Sequence, residues 1–478
     1  MARSVDIAVI GGGIAGLAAA WTAQRAGRSV HVFEAGPVAG GKMRSERCDG
    51  YLIEHGPHSF LGSADTLWRL LAELEMTDAA VAARPPNWRY VYRGGVARRL
   101  PVGLGSAIGG NWLSMRGKLR ALAEPWIAGA AAEDDDLLSF MTRRFGAELA
   151  EGLVAPFVTG IYAGDASALG ARDAFPKLWQ FEHEHGSIVR GAWAQRQATK
   201  AAGASRTTTR KRGLFSLRDG MATLPLAIAA RLGDHLSVDA QVTELRRDGD
   251  RWTIQLAATD GAAPEPVSAR RVIVATPPEA AHALLAPMSD SAAIPLARAR
   301  TCPMVMVHIG GPTTADGPRG FGALVARGED VRALGLLLPT SLFPGRAPEG
   351  HACSAVFFGG AQDPEVLDFS DDRLVALAVQ ARRNVFGLTA ETEDAVTFQR
   401  VVRWPHAIVQ YEVGHRSRMA DAVAALARDT PGVLLAGAHL DGVSMSDAAA
   451  SGIAAAEALL GALATSSADP AIRAQRLA

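Results

Sequence analysis

Apolar residues are spaced differently in different parts of this chain. Residues 5–10, Val-Asp-Ile-Ala-Val-Ile, are almost all apolar or β-branched, as in a parallel strand buried on both faces. Three glycines follow. Residues 17–26 then read as a helix stopped by Gly27, and residues 29–33 as a second strand ending at Glu34. Further on, residues 67–74 read as helical, and residues 89–92 and 96–100 as a hairpin around Gly94-Gly95. From about residue 101 to 212 helical periodicity dominates and strands nearly vanish. Strands return at 241–245, 252–256 and 271–275, the last leading into Thr276-Pro277-Pro278, where proline can open a helix. A mixed region follows, with strands at 304–309, 334–338 and 352–357 and a helix at 373–385. The tail is a strand at 433–436, then Gly437, then an alanine-rich helix to about Ala464, with Ser446 as its expected N-cap.

This order predicts an α/β fold with mixed α+β parts. A Rossmann-type domain draws on residues 1–75, 214–285 and 430–465. An inserted mixed-sheet domain takes 76–100 and 286–429, and a helical domain takes 101–213. The helical part ends in a basic run rich in glycine, serine and threonine, residues 202–213, expected to be a mobile loop with a solvated charged face. No internal repeat is evident.

Composition narrows the function classes. Lysine plus arginine (49) balances aspartate plus glutamate (49), so bulk charge gives no reason to expect nucleic acid. Cys48, Cys302 and Cys353 are far apart and form no CxxC pair, which argues against both a disulfide framework and a zinc site. His183 and His185 fall on a polar helix, and no metal is expected. The start, Met1-Ala-Arg-Ser, runs straight into the first strand and shows no secretory signal. The best apolar stretch, residues 451–464, is too short to span a membrane and carries Glu457. These features point to a reducing cytoplasm.

The chemistry starts at Gly11-Gly12-Gly13-Ile14-Ala15-Gly16. A lone GxGxxG is weak evidence, but this one has a strand before it, a helix after it and an acid at the end of the next strand. Gly11 permits the tight turn, Gly13 lets backbone approach a pyrophosphate, and Gly16 lets the helix lie close to the sheet. The helix N-terminus offers N–H groups to phosphate, and Glu34 can accept from a ribose. Two further segments favour FAD over a nicotinamide cofactor. Gly40-Gly41-Lys42-Met43-Arg44 again allows close backbone approach and adds two cations. Gly437-Ala-His-Leu-Asp-Gly-Val443-Ser444-Met445-Ser-Asp447 leads into the last helix, whose start could face the flavin ring. FAD is long, and gripping it at both ends explains two segments so far apart in sequence.

At this point the chain resembles the protoporphyrinogen oxidase family, within the wider amine oxidase and phytoene desaturase superfamily. Three stretches carry the specific part of the resemblance. They are Gly160-Ile-Tyr-Ala-Gly-Asp165 with Ala174-Phe-Pro-Lys-Leu178 and then Glu182 to Gly191; Arg403-Trp404 through Gln410-Tyr411 to Gly414-His415; and Gly320-Phe-Gly-Ala-Leu324 with Phe357-Phe-Gly-Gly360. The resemblance implies six-electron oxidation of protoporphyrinogen IX in haem biosynthesis, with oxygen as the usual acceptor. Bacterial relatives oxidise coproporphyrinogen III instead. It further implies flavin contacts at Gly56, Pro57, His58 and Ser59, at Trp404 and at Val443, Ser444 and Met445, with Val242 at the adenine end. Arg89 would pair with a propionate, Leu324, Leu337 and Phe357 would clamp the tetrapyrrole, and the Gly160 carbonyl would face pyrrole N–H groups. The family also implies a homodimer and peripheral contact with the inner face of the cell membrane, for which Trp112, Trp126 and Trp179 are candidates. The last motif departs from the family, which often has glycine after the valine and cysteine after the aspartate.

A porphyrinogen is a large apolar ring with carboxylate arms. It needs an apolar slot and one or two cations rather than a catalytic triad. The redox step belongs to the flavin, so no catalytic acid or base is named. Other readings are a coproporphyrinogen oxidase, which would call for more cations at the slot; a carotenoid desaturase or an amine oxidase, the latter needing an aromatic cage; and a flavin-binding scaffold with no open slot.

Overall fold

The computed structural model describes residues 4–100, 112–129, 132–201, 211–258, 264–313, 317–388 and 396–466. Most of the 202–213 run lies outside these. Along the chain, β1 (Ser4–Ile10) leads into α1 (Ile14–Arg25) and β2 (Val30–Phe33); a hairpin, β3 (Arg89–Arg93) and β4 (Val96–Arg99), comes next, and later α2 (Ala155–Tyr162). Then come β5 (Val267–Val274), β6 (Thr301–Pro312), β7 (Gly322–Val325), β8 (Gly335–Leu337) and β9 (His351–Gly359). Helix α3 (Asp371–Phe386), β10 (Phe398–Val409), β11 (Val433–Leu435) and α4 (Met445–Ser466) complete the frame.

The first sheet is built around β2, β1 and β5, all parallel, with β11 also parallel on β5. Strand Leu236–Ser237 extends it beyond β2, and the antiparallel strands Arg251–Leu256 and Val242–Asp248 extend it beyond β5. Side chains alternate across a pleated strand. Ile7 and Val9 therefore join a core with α1 and α4, while Ala8 and Ile10 join a second core on the other face with Leu285, Leu296, Met419 and Leu426. Burial on both faces explains why β1 reads as an unbroken apolar run.

The second sheet has the order β10-β6-β9-β8-β7-β3-β4. Only the β7–β3 pairing is parallel. One face, with Val305, Val307, Val325, Leu336, Val356 and Phe358, packs on Leu374, Ala378, Ala381 and Val385 of α3. Strand β10 was unassigned in sequence. It carries Pro405, which lacks a ladder donor and is tolerated because β10 is the sheet edge. Between 112 and 201 the described residues are helices and turns, packed around Phe140, Tyr162 and Tyr411. Among the described residues no helix is long and apolar enough to cross a membrane.

Candidate active site

The sharpest convergence of glycine-rich backbone lies at the carboxyl ends of β1, β2 and β5. Helix α1 is capped by Gly13, which offers no side-chain cap, so the N–H groups of its first turn stay available to an anion. A Cβ at Gly16 would sit 2.0 Å from the Gly11 carbonyl oxygen, so only glycine lets α1 lie this close to the turn. Glu34 accepts from the N–H of Gly12 (2.7 Å) and of Gly36 (2.8 Å), which fixes its carboxylate across the loop. The segment after Glu34 folds back onto the loop, with Gly40 N–H donating to Gly12 O (2.8 Å). The backbone N–H of Asp239 and Ala240 donates to Gly36 and Glu34, which sets Val242 near the Glu34 end.

Helix α4 closes the same region from the far end of the sequence. A Cβ at Gly452 would meet the Ala15 carbonyl oxygen at 1.9 Å, so α4 and α1 touch backbone to backbone. The structure corrects the expected cap. Ser444, not Ser446, precedes the helix, and its hydroxyl accepts from Asp447 N–H (3.1 Å) while donating to the Asp447 carboxylate (2.6 Å). Gly437 has φ +141° and its N–H donates to Ser451 Oγ (2.8 Å).

Lys42, Arg44 and the 56–59 segment lie between these two grips. Lys42 is deeply set yet partly exposed, the condition of a side chain lining a cleft. Burial lowers its pKa against the pull of Glu279. The Arg44 guanidinium lies 5.8 Å from the Trp404 ring, and the Trp404 indole N–H donates to His55 O (2.5 Å). His58 Nδ1 donates to Gly56 O (3.1 Å), and its ring lies 5.8 Å from both His308 and Phe357. Burial, helped by the neighbouring charges of His308 and Arg346, holds His58 neutral, with its pKa lowered to about 3.

The stretch before His58 is pinned by a network that the sequence did not disclose. Buried Glu54 accepts from Ser45 Oγ (2.5 Å), Met221 N–H (3.0 Å) and Arg346 (3.1 Å). Arg346 also donates to Ser216 Oγ and Leu217 O. Burial pushes the Glu54 carboxyl up and the Arg346 guanidinium down, each opposed by the partner's charge.

The second sheet's other face points toward this region. Register puts Val402, Met306, Phe357, Gly335, Leu324 and Val91 in one row across the strands. His308, Ala355, Leu337, Gly322 and Arg89 form the adjacent row. The five expected substrate residues are therefore gathered: Leu324, Leu337, Phe357 and Arg89 share this face, and Gly160 of α2 lies on it, where a Cβ would be 2.5 Å from Leu324. Leu324, Leu337 and Phe357 are half-buried rather than core. Arg89 is exposed, stacks over Phe321 at 4.8 Å and has no ion-pair partner among the described residues. From Phe357 to Arg89 the face crosses three strand spacings, roughly 14 Å.

A model of flavin-containing amine oxidoreductases matches residues 14–460. The chain belongs to that family. As a family member it is an FAD-dependent oxidoreductase. The chloroplastic protoporphyrinogen oxidase of Nicotiana tabacum is 32% identical over 466 residues, covering 93% of this chain and 83% of the relative. The coproporphyrinogen III oxidase of Bacillus subtilis is 29% identical, covering 94% and 96%. A solved structure from Exiguobacterium sp. 255-15 superposes with TM-score 0.80 at 22% identity, covering 96% and 99%. Cyclohexylamine oxidase from Brevibacterium oxydans does so with TM-score 0.70 at 18% identity.

The residues present fit FAD. Arg44 Nε, Thr276 Oγ1 and His58 Nε2 are buried polar atoms around the loop and cleft with no hydrogen-bond partner among the described residues. Thr276 was missed as a site residue, although its place at the carboxyl end of β5 was a usable signal. The α1 N-terminus and Arg44 would hold the pyrophosphate, Glu34 the ribose, and Trp404 and the 443–445 turn the ring. Bound there, FAD supplies a two-electron acceptor. Where His58 meets Phe357 at the edge of the half-buried face, His58 and His308 are both held neutral by burial.

Proposed function

We propose that the enzyme oxidises protoporphyrinogen IX to protoporphyrin IX in porphyrin biosynthesis, with oxygen as acceptor. The observation behind this reading is the sheet face that runs from Trp404 through Phe357, against which His58 packs, and on through Leu337 and Leu324 to Arg89, which has no ion-pair partner among the described residues. Such a surface offers an apolar ring its width and a carboxylate its cation. The test is porphyrin fluorescence from protoporphyrinogen IX or coproporphyrinogen III, in air, with the FAD-loaded protein. Faster formation from the first supports the reading. No enzyme-dependent oxidation of either, with a quinone also supplied, overturns it. Coproporphyrinogen III is the second reading, favoured by the further arginines Arg93 and Arg98 on the adjoining hairpin.

Peripheral membrane attachment and homodimerisation belong to the same proposal, with the cytoplasm as location. Of the three candidate tryptophans, Trp126 is 77% exposed, while Trp112 donates to Arg99 O and Trp179 stacks on His183. Met115 and Leu119 beside Trp126 are exposed as well. Co-flotation with anionic vesicles, lost in Trp126→Ser, is the expected result. A dimer mass by light scattering is expected in solution.

A further inference from the structure

The β3–β4 hairpin carries a second, unused set of cations. Leu100 N–H bonds to Arg89 O and Arg98 pairs with Val91, so Arg98 is the diagonal neighbour of Arg89 on the same face. Diagonal neighbours lie roughly 7–8 Å apart, their Cβ atoms somewhat closer. Arg98 also ends the row that contains Phe357 and Leu324. Next to it is a cavity of about 440 Å³ lined by Arg93, Arg98, Trp112, Leu113, Ser114 and Glu148. The Glu148 carboxylate accepts from the N–H (2.6 Å) and hydroxyl (2.7 Å) of Ser114, and these bonds together with the nearby charge of Arg93 hold it below its ordinary pKa, which leaves Arg98 as the cation it does not engage. Arg98 has no hydrogen-bond or ion-pair partner among the described residues. The cavity is thus cationic on one wall and apolar on another, where Trp112 is held by Arg99 O (2.9 Å).

We infer that this cavity is a second carboxylate subsite of the substrate slot, in which Arg98 takes a carboxylate arm of the macrocycle beyond the one held at Arg89. The inference rests on the porphyrinogen reading. A ring with four carboxylates always has an arm to place there, whereas a ring with two gains less. Arg98 would therefore set how well the enzyme accepts coproporphyrinogen III beside protoporphyrinogen IX.

The test uses the FAD-loaded enzyme and reads binding of the stable products, coproporphyrin III and protoporphyrin IX, by fluorescence, alongside KM and kcat for their reduced forms. Arg98→Ala should weaken coproporphyrin binding about tenfold, the scale of one charge-assisted contact. Protoporphyrin binding should weaken less, about twofold to threefold. Arg98→Lys should restore most of the loss, and kcat should stay within twofold. Unchanged coproporphyrin affinity in Arg98→Ala overturns the subsite, as does a wild-type protein that binds neither porphyrin. Anionic vesicles released by Arg98→Ala, with porphyrin affinity intact, would overturn it as well, by making the cavity a phosphate site. If the wild type binds both porphyrins but oxidises neither reduced form, the functional reading fails, and the affinity ratio still decides the subsite.

Discussion

The two large sheets treat their faces differently. The flavin sheet is covered on both sides by buried cores, and its loops meet backbone to backbone at Gly16 and Gly452. The second sheet packs one face on α3 and leaves Leu324, Leu337 and Phe357 half-buried on the other. Shape is over-determined in the first sheet and left adjustable in the second. A cofactor that stays needs a fixed cradle, while a substrate that comes and goes needs a surface not already satisfied by protein.

Substitutions should separate the two sheets sharply. Gly452→Leu should have the largest effect, since its side chain begins 1.9 Å from Ala15 O. The expected protein is unfolded or free of flavin, as read by the flavin-to-protein absorbance ratio. Acid should act next. His58, His308 and His439 have pKa values lowered by burial to about 3, 4 and 4. The unfolded chain takes up these protons near pH 6.5 and the folded one does not, so their contribution is present above about pH 6.5 and is lost as pH falls toward 4. Thermal melts should drop across that window and stay flat from pH 7 to 8. Arg346→Met, which strands Glu54, should cost about 3–5 kcal/mol by denaturant unfolding. Arg89→Ala should leave the melt unchanged and raise KM about tenfold, or about 1.4 kcal/mol. A matching fall in melting temperature would show that Arg89 is structural and would break the contrast between the sheets.

How much was legible in the sequence follows from the same contrast. The unit β1-α1-β2 with Glu34 was readable because its signals are local: a run of apolar residues, a glycine turn and an acid at a fixed offset. The final helix was readable too, although its cap lies at Ser444. Strand β10 was hidden by Pro405 and its charges, which mark it as an edge only once the sheet order is known. The shared face of Arg89, Leu324, Leu337 and Phe357 depends on register between strands far apart in sequence, which no local pattern encodes; only the family resemblance brought these residues together. Nothing around Arg346 in the sequence distinguishes it from a surface arginine, and its burial with Glu54 exists only after folding.

The flavin sheet draws its central strands from residues 4–33, 267–274 and 433–435. A chain emerging in order from the ribosome therefore exposes β1 long before β11 and α4 exist. The contact of Gly452 with Ala15 cannot form until α4 has been made, so the cradle is completed late in synthesis. Until then one face of the apolar run of β1 lacks the cover that α4 gives it in the finished fold.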